Sequence, residues 1–214
     1  MQRRDFSRQL LGGGMALALP MATRAQGAPE EGKHFVRLNS PAPVSLPPNK
    51  KVDVVEFFWY GCPHCNAFEP FLESWVKRLP EDVSFRRVHV GFGAPHQVHQ
   101  KLFYALEEMG ALETTHRKVF TAMHVANKRL LSDNDIAAFG NESGLDGAKL
   151  VATMKSFGVN TKAARARQLS EAYKIDGVPA LGVHGRFYTS GSLAGPPERM
   201  IAVAEFLIGR ARGG

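Results

Sequence analysis

At 214 residues, with 44% hydrophobic and 22% charged residues, the chain has the make-up of one globular domain, or of a domain carrying an insertion. No run approaches the roughly 18 apolar residues that a membrane-spanning helix needs. The net charge of +7 contains no Lys/Arg block, and three of those charges come from Arg3, Arg4, Arg8 and Arg24 against Asp5, so nucleic acid is not an implied partner.

The first 25 residues read as an address. Arg3, Arg4 and Arg8 form a positive region, Leu10 to Met21 a short apolar one, and Thr23-Arg24-Ala25 a small-x-small cleavage site before Gln26. Arg3-Arg4-Asp5-Phe6 also resembles a twin-arginine export signal. Either route leads out of a bacterial cytoplasm, to the periplasm. Residues 26–33 are polar, and His34 to Leu38 predicts a short edge strand, followed by an extended connection through Pro41, Pro43, Pro47 and Pro48.

Val52 to Pro70, VDVVEFFWYGCPHCNAFEP, organises the rest. Val52, Val54, Val55, Phe57 and Phe58 form a short β-branched and aromatic run with Glu56 inside it, which suits a strand buried on both faces. The run stops at Gly61, and Cys62-Pro63-His64-Cys65 follows. Pro63 suits the first turn of a helix, where its missing N–H is no loss. The two cysteines then straddle the start of a helix running through Phe68, Phe71, Leu72, Trp75 and Val76. A thiol there faces unpaired N–H groups and the positive end of the helix dipole, which favour the thiolate.

Val83 to Val90 alternates as a second strand, Val83, Phe85, Arg87 and His89 on one side and Ser84, Arg86, Val88 and Val90 on the other. Strand–helix–strand at this spacing predicts a parallel βαβ unit. Between Gln97 and Ile175 only helical spacing is found. Val98, Leu102, Ala105, Leu106 and Met109 mark one helix, and Val119, Phe120 and Met123 a second. Ser132 with Asp135 reads as a capping box for a third. Leu150, Val151, Met154 and Phe157 form a fourth closed by Gly158, and Thr161 to Ile175 a fifth. Gly177-Val178-Pro179-Ala180 ends the helices. A hairpin turning at Gly185 follows, then a glycine-rich loop from Gly191 to Gly195. Pro196-Pro197 opens a last helix with Met200, Ile201, Ala204, Leu207 and Ile208 on its apolar face.

Cys62 and Cys65 are the only cysteines. They close too small a loop to staple a fold, so a reactive pair explains them best. CxxC is also zinc-ligand spacing, but a structural zinc takes four ligands, and His96 and His99 would have to complete the set.

EFFWYGCPHC, the helical stretch after the next strand and Gly-Val-Pro-Ala before the hairpin together resemble the DsbA family of periplasmic thiol:disulfide interchange proteins. The resemblance implies an α/β, thioredoxin-like fold, discontinuous over 34–96 and 176–214, with an all-helical insertion at 97–175. It implies Cys62 as nucleophile, Cys65 as its buried partner, and a cis Val178-Pro179 bond packed against the disulfide. It also places Glu56 beneath the pair, and Pro70 at the kink of the active-site helix. It implies no cofactor beyond the Cys62–Cys65 disulfide, and no metal. Its implied partners are reduced exported polypeptides and a membrane quinone-linked reoxidase of the DsbB type, with the chain a monomer. Tyr60 and Gly61 depart from the more aromatic residues of enteric members, and the loop at Gly191 to Gly195 bears on the substrate groove.

The expected activity is that of an oxidase, with His64 adding charge or a hydrogen bond that favours a Cys62 thiolate, its pKa lowered to about 4. Glu56 is either a relay for the Cys65 proton or a structural partner of Arg87. A disulfide isomerase or reductase on the same fold is the nearest alternative, and a zinc-binding interaction module a more distant one.

Overall fold

The computed structural model describes residues 27–213; the expected export signal lies outside them. Val52–Phe58 forms β2, and every one of its seven residues is buried, as a strand covered on both faces requires. Pro63–Val76 forms α1, and Val83–His89 forms β3, parallel to β2 and in register with it from Val52 opposite Val83 to Phe58 opposite His89. Ala180–Val183 (β4) and Phe187–Ser190 (β5) complete the hairpin. The expected edge strand shrinks to two residues, Val36–Arg37 (β1). The sheet order is β1-β5-β4-β2-β3, with every neighbour pair antiparallel except β2 and β3. His184 (φ 51°) and Gly185 (φ 65°) make the hairpin turn, which Arg186 N–H closes on Val183 O at 3.0 Å. The connection is three residues long, His184 to Arg186, and its left-handed central pair follows the twist of the strands.

Five helices lie between β3 and β4: α2 (Ala94–Glu108), α3 (Leu112–His124), α4 (Asp133–Glu142), α5 (Gly147–Met154) and α6 (Phe157–Ala172). Ser132 caps α4, its Oγ accepting the Asp135 N–H at 3.1 Å. One boundary differs from expectation. The fourth helix stops at Met154, and Phe157 and Gly158, expected to finish it, begin α6 instead. Ser156 causes the break, its Oγ accepting the Val159 N–H at 3.1 Å as an N-cap. Phe157 is consequently no core residue; it is 88% exposed. Gly191–Ala194 (α7) is a single turn where a loop was expected, and Pro197–Arg212 forms α8.

Two apolar clusters flank the sheet. Val54, Phe68, Leu72, Trp75, Leu181, Val183, Met200 and Leu207 pack α1 and α8 onto one face. Val55, Phe57, Leu102, Phe103, Phe120, Leu150, Ala163 and Tyr173 join the other face to the helices between β3 and β4. Each face also buries an acid of β2 against an arginine of β3. Asp53 takes both Arg86 Nε (3.2 Å) and Nη2 (2.9 Å), while Glu56, three residues on, takes Arg87. Alternation along the two parallel strands sets both pairs and sends them to opposite faces.

Tyr173 is wedged against β4. Its hydroxyl accepts the Gly185 N–H at 2.8 Å, and a Cβ on Gly182 would stand 2.5 Å from its Cε1. The ring is pinned at both ends, so Gly182→Ala forces overpacking and is expected to cost about 1–3 kcal/mol. Urea denaturation should show the lower midpoint, with the thiol titration of the active site unchanged.

Candidate active site

The turn leaving β2 places the reactive pair. Cys62 N–H bonds Trp59 O at 3.0 Å, and Cys62 becomes the N-cap of α1 with extended backbone (φ −86°, ψ 116°), followed by Pro63 inside the first turn. Its sulfur does what a capping oxygen does elsewhere, accepting the Cys65 N–H at 3.3 Å. Cys65 is wholly buried and Cys62 is 7% exposed, while Pro63 and His64 face solvent. Pro70 lies inside α1, where it offers no N–H to the preceding turn.

The same geometry splits the two thiols electrostatically. The Cys65 S–H donated to Cys62 is the main reason the Cys62 pKa falls to about 6. Burial opposes this, and the N–H groups of Cys65 and His64 and the His64 charge add to it. Cys65 goes the other way, pushed far up by burial and by its bond to the Cys62 sulfur. The depression of Cys62 is shallower than the expected value of about 4, because desolvation of a nearly buried sulfur works against the thiolate.

The Val178–Pro179 peptide is cis and brings Val178 O to 3.5 Å from Cys62 Sγ. Beside it opens a mainly apolar groove of about 560 Å³, lined by His64, Phe68, Val178, Pro179, Gly191 and Met200 among others. The glycine-rich stretch therefore forms one wall of this groove.

Beneath the pair, Glu56 and Arg87 are partners, Nε to Oε2 at 3.0 Å. Arg87 is shared: its Nη2 donates to Glu69 Oε2 of α1, also at 3.0 Å. Burial, and then the Glu69 charge, raise the Glu56 pKa to about 8 in spite of Arg87, and its Oε1 is buried with no hydrogen-bond partner. Both effects favour the neutral acid over the carboxylate. Burial pushes Glu69 up as well, but the His116 hydrogen bond and the Arg87 charge outweigh it, and Glu69 lies below the ordinary carboxylate value.

Comparison with known proteins agrees with this layout. Residues 96–194 match the DSBA-like thioredoxin domain. The thiol:disulfide interchange protein DsbA of Pseudomonas syringae is 40% identical over 192 residues, 90% of this chain and 89% of that protein. Its counterpart in Bordetella pertussis is 41% identical over 91% of each chain. The crystal structure of Pseudomonas aeruginosa DsbA superposes with a TM-score of 0.80 at 41% identity, over 85% of this chain and 94% of that one. The chain belongs to the DsbA family. It is a thiol:disulfide oxidoreductase with a thioredoxin-like fold.

This DsbA-family member surrounds the two residues before Gly61 with histidines. Tyr60 N–H donates to His89 Nε2 (3.2 Å), Tyr60 O accepts from His124 Nε2 (2.8 Å), and the Tyr60 hydroxyl meets His116 Nδ1 (2.9 Å). Trp59 Nε1 donates to His99 Nδ1 (2.9 Å), and its ring stacks on His96 with centroids 4.1 Å apart. Both nitrogens of His99 are taken, Nε2 by Arg129 O at 2.9 Å, so the zinc set that needed this histidine would have to break two bonds. Trp59 also accounts for Gly61, since a Cβ there would lie 2.3 Å from Cζ2 of the indole.

Glu69 and His116 escape a reading of the sequence, and so does the grip on Tyr60. For Glu69 one local signal exists: it sits four residues after Cys65, on the helix face that buries Cys65 and Leu72. No comparable signal marks His116.

Thiolate absorbance of the reduced protein is expected to titrate with a midpoint of about 6 and to disappear in Cys62→Ser. In Cys65→Ala the midpoint should rise, because the strongest donor to Cys62 is removed. An unchanged midpoint would assign the depression to the helix terminus and His64 instead.

Proposed function

We propose that the enzyme works as an oxidase in the periplasm, as a monomer, donating the Cys62–Cys65 disulfide to reduced exported polypeptides. The observation that carries this reading is the split between the two thiols, a thiolate-favouring Cys62 and a Cys65 whose proton is hard to remove. The first makes Cys62 a good leaving group, and a good leaving thiolate makes its disulfide oxidising.

A substrate thiolate attacks Cys62 Sγ; the Cys62–Cys65 bond breaks, and its electron pair leaves with Cys65. A buried Cys65 thiolate is costly, so it takes a proton at once. Glu56, protonated at neutral pH and with an unpaired oxygen in the buried site, supplies that proton and recovers it from solvent later. A second substrate thiolate attacks the substrate sulfur of the mixed disulfide, and Cys62 departs as a thiolate. The substrate loses two electrons and gains a disulfide; the enzyme is left as Cys62 thiolate and Cys65 thiol. A membrane quinone-linked partner of the DsbB type would take the two electrons and restore the disulfide. The groove along Val178 and Pro179 suits an extended chain lying beside Cys62, as its mainly apolar walls favour an unfolded substrate. Isomerase or reductase activity on the same fold is the second reading, since a thiol with a pKa of about 6 can also attack at neutral pH; what favours the oxidase is the leaving-group quality of Cys62.

Oxidation of a reduced unfolded protein, set beside rescue of a scrambled one, tests the assignment. Fast oxidation with poor rescue is expected, and the reverse would replace oxidase by isomerase. With Cys65→Ala, mixed disulfides on Cys62 should accumulate on a non-reducing gel, and adducts confined to Cys62→Ser would reverse the two roles.

The lowered Cys62 pKa also ties stability to pH. The unfolded thiol ionises near 8.5 and the folded one near 6, so the thiolate's stabilisation is complete above about pH 9 and lost as pH falls through about 6. The oxidised form has no thiolate, and its short loop constrains the unfolded chain little. Melting both forms from pH 9 to pH 5 should show the reduced form losing stability relative to the oxidised one. The thiolate's share is on the order of 1 kcal/mol at pH 7.

A further inference from the structure

We propose that His116, locked as a neutral imidazole between the Tyr60 hydroxyl and the Glu69 carboxylate, is a positioning residue that keeps the proton of the buried carboxylate pair on Glu56. The proposal rests on the reading above in which Glu56 supplies the Cys65 proton.

Glu56 and Glu69 share a single guanidinium, each by one oxygen at 3.0 Å. Two buried carboxylates beside one cation hold one proton between them most favourably, and Arg87 by itself gives neither acid an advantage. The second oxygens differ. Glu69 Oε1 meets His116 Nε2 at 3.2 Å, whereas Glu56 Oε1 is buried without a partner. A hydrogen bond to the charged form favours that form, so the negative charge settles on Glu69 and the proton on Glu56.

The tautomer follows from the partners. An ionised carboxylate only accepts, so Nε2 carries the hydrogen; Nδ1 must then accept, and the Tyr60 hydroxyl donates to it at 2.9 Å. Burial disfavours the imidazolium, and Arg87 does the same, while Glu69 and Glu73 oppose them without prevailing. His116 therefore gives Glu69 a hydrogen bond and no charge. Burial likewise holds Tyr60 as a phenol, able to donate.

The charged and titratable groups around the pair come from every neighbouring element. They are Glu69, Glu73 and Cys65 on α1, Arg87 and His89 on β3, and His116 and Arg117 on α3, with Tyr60 following β2. Arg117 is engaged with Glu73 at 3.8 Å, and His89 has both nitrogens bonded to backbone, to Tyr60 N–H and Val90 O. His116 is the group whose hydrogen bond distinguishes the two carboxylates.

The test follows the side-chain carboxyl carbons of Glu56 and Glu69 by carbon-13 NMR in the full-length oxidised protein. Wild type should show Glu56 protonated and Glu69 ionised at pH 7. In His116→Leu the proton should redistribute towards Glu69 by about tenfold, with the Glu56 midpoint about one pH unit lower. His116→Gln, whose amide N–H can still reach Glu69, should restore most of the wild-type pattern. Tyr60→Phe, which frees Nδ1 without touching either carboxylate, should shift it part of the way. Alongside, glutathione attack on the oxidised protein at pH 7 should slow about tenfold in His116→Leu and recover in His116→Gln. Carboxyl shifts unmoved in His116→Leu and Tyr60→Phe overturn the proposal, as do equal shifts in the Leu and Gln variants. An unchanged glutathione rate in Glu56→Gln would instead overturn the relay reading, and the NMR titration would still decide where His116 places the proton.

Discussion

One partly buried guanidinium joins the sheet to the active-site helix. Arg87 on β3 binds Glu56 on β2 and Glu69 on α1, so the strand beneath the disulfide and the helix that carries it are tied at the same cation. Removing one partner from such a network commonly costs about 3–5 kcal/mol, because a charge is left buried without its counterion. The network is also unbalanced by design of its residues: two acids face one base. Burial, and then the Glu69 charge, raise the Glu56 pKa to about 8 and so favour its neutral form. Of the two readings of Glu56, the contact with Arg87 is present at 3.0 Å, and the relay we propose draws on the raised pKa of the same carboxyl. Its hydrogen bond with Arg87 orients the carboxyl, while burial and the neighbouring Glu69 favour its neutral form.

A second constraint acts above that network. The segment between β2 and the N-cap of α1 is short, and Trp59 and Tyr60 within it must be fixed if the Cys62 sulfur is to stay over the helix end. Histidines do this because a neutral imidazole offers one donor and one acceptor on a rigid ring. His89 and His124 satisfy the Tyr60 backbone, His116 its hydroxyl, and His99 the Trp59 indole. Phe58, Phe103 and Phe120 fill the space between these rings. The polar groups of the turn are then satisfied in a dry environment, where an unpaired one would cost about 1–3 kcal/mol.

The local part of this arrangement was legible in the chain itself. A buried seven-residue strand, a Pro at the first helical turn and cysteines at the cap are all written within Val52 to Pro70, since short-range sterics and capping determine them. The parallel pairing of β2 and β3 followed from their spacing, and the hairpin from Gly185. The boundary at Ser156 was misread because apolar periodicity continues through Phe157, and the cap that breaks it outweighs the periodicity. The ion-pair partner of Glu56 was visible as one of two options, because strand alternation puts Glu56 and Arg87 on the same face. The histidine shell was not visible. His116 stands 56 residues from Tyr60 and 47 from Glu69, and only the packing of α3 against α1 brings them together.

The identities of Tyr60 and Gly61 acquire a physical meaning from that shell. A phenylalanine at position 60 would pack among Phe58, Phe103 and Phe120 as Tyr60 does, but would leave His116 Nδ1 with no donor. The hydroxyl and the imidazole therefore depend on each other, and neither is explained by packing alone. Gly61 depends on Trp59 in the same way, because the indole that stacks on His96 occupies the space of a Cβ. Three consecutive residues before the nucleophile are thus determined by partners on α2, α3 and β3. The helices between β3 and β4 hold the approach to Cys62, and through His116 they reach the carboxylates beneath Cys65. In this chain the helices between β3 and β4 position the turn before Cys62 as much as the sheet does.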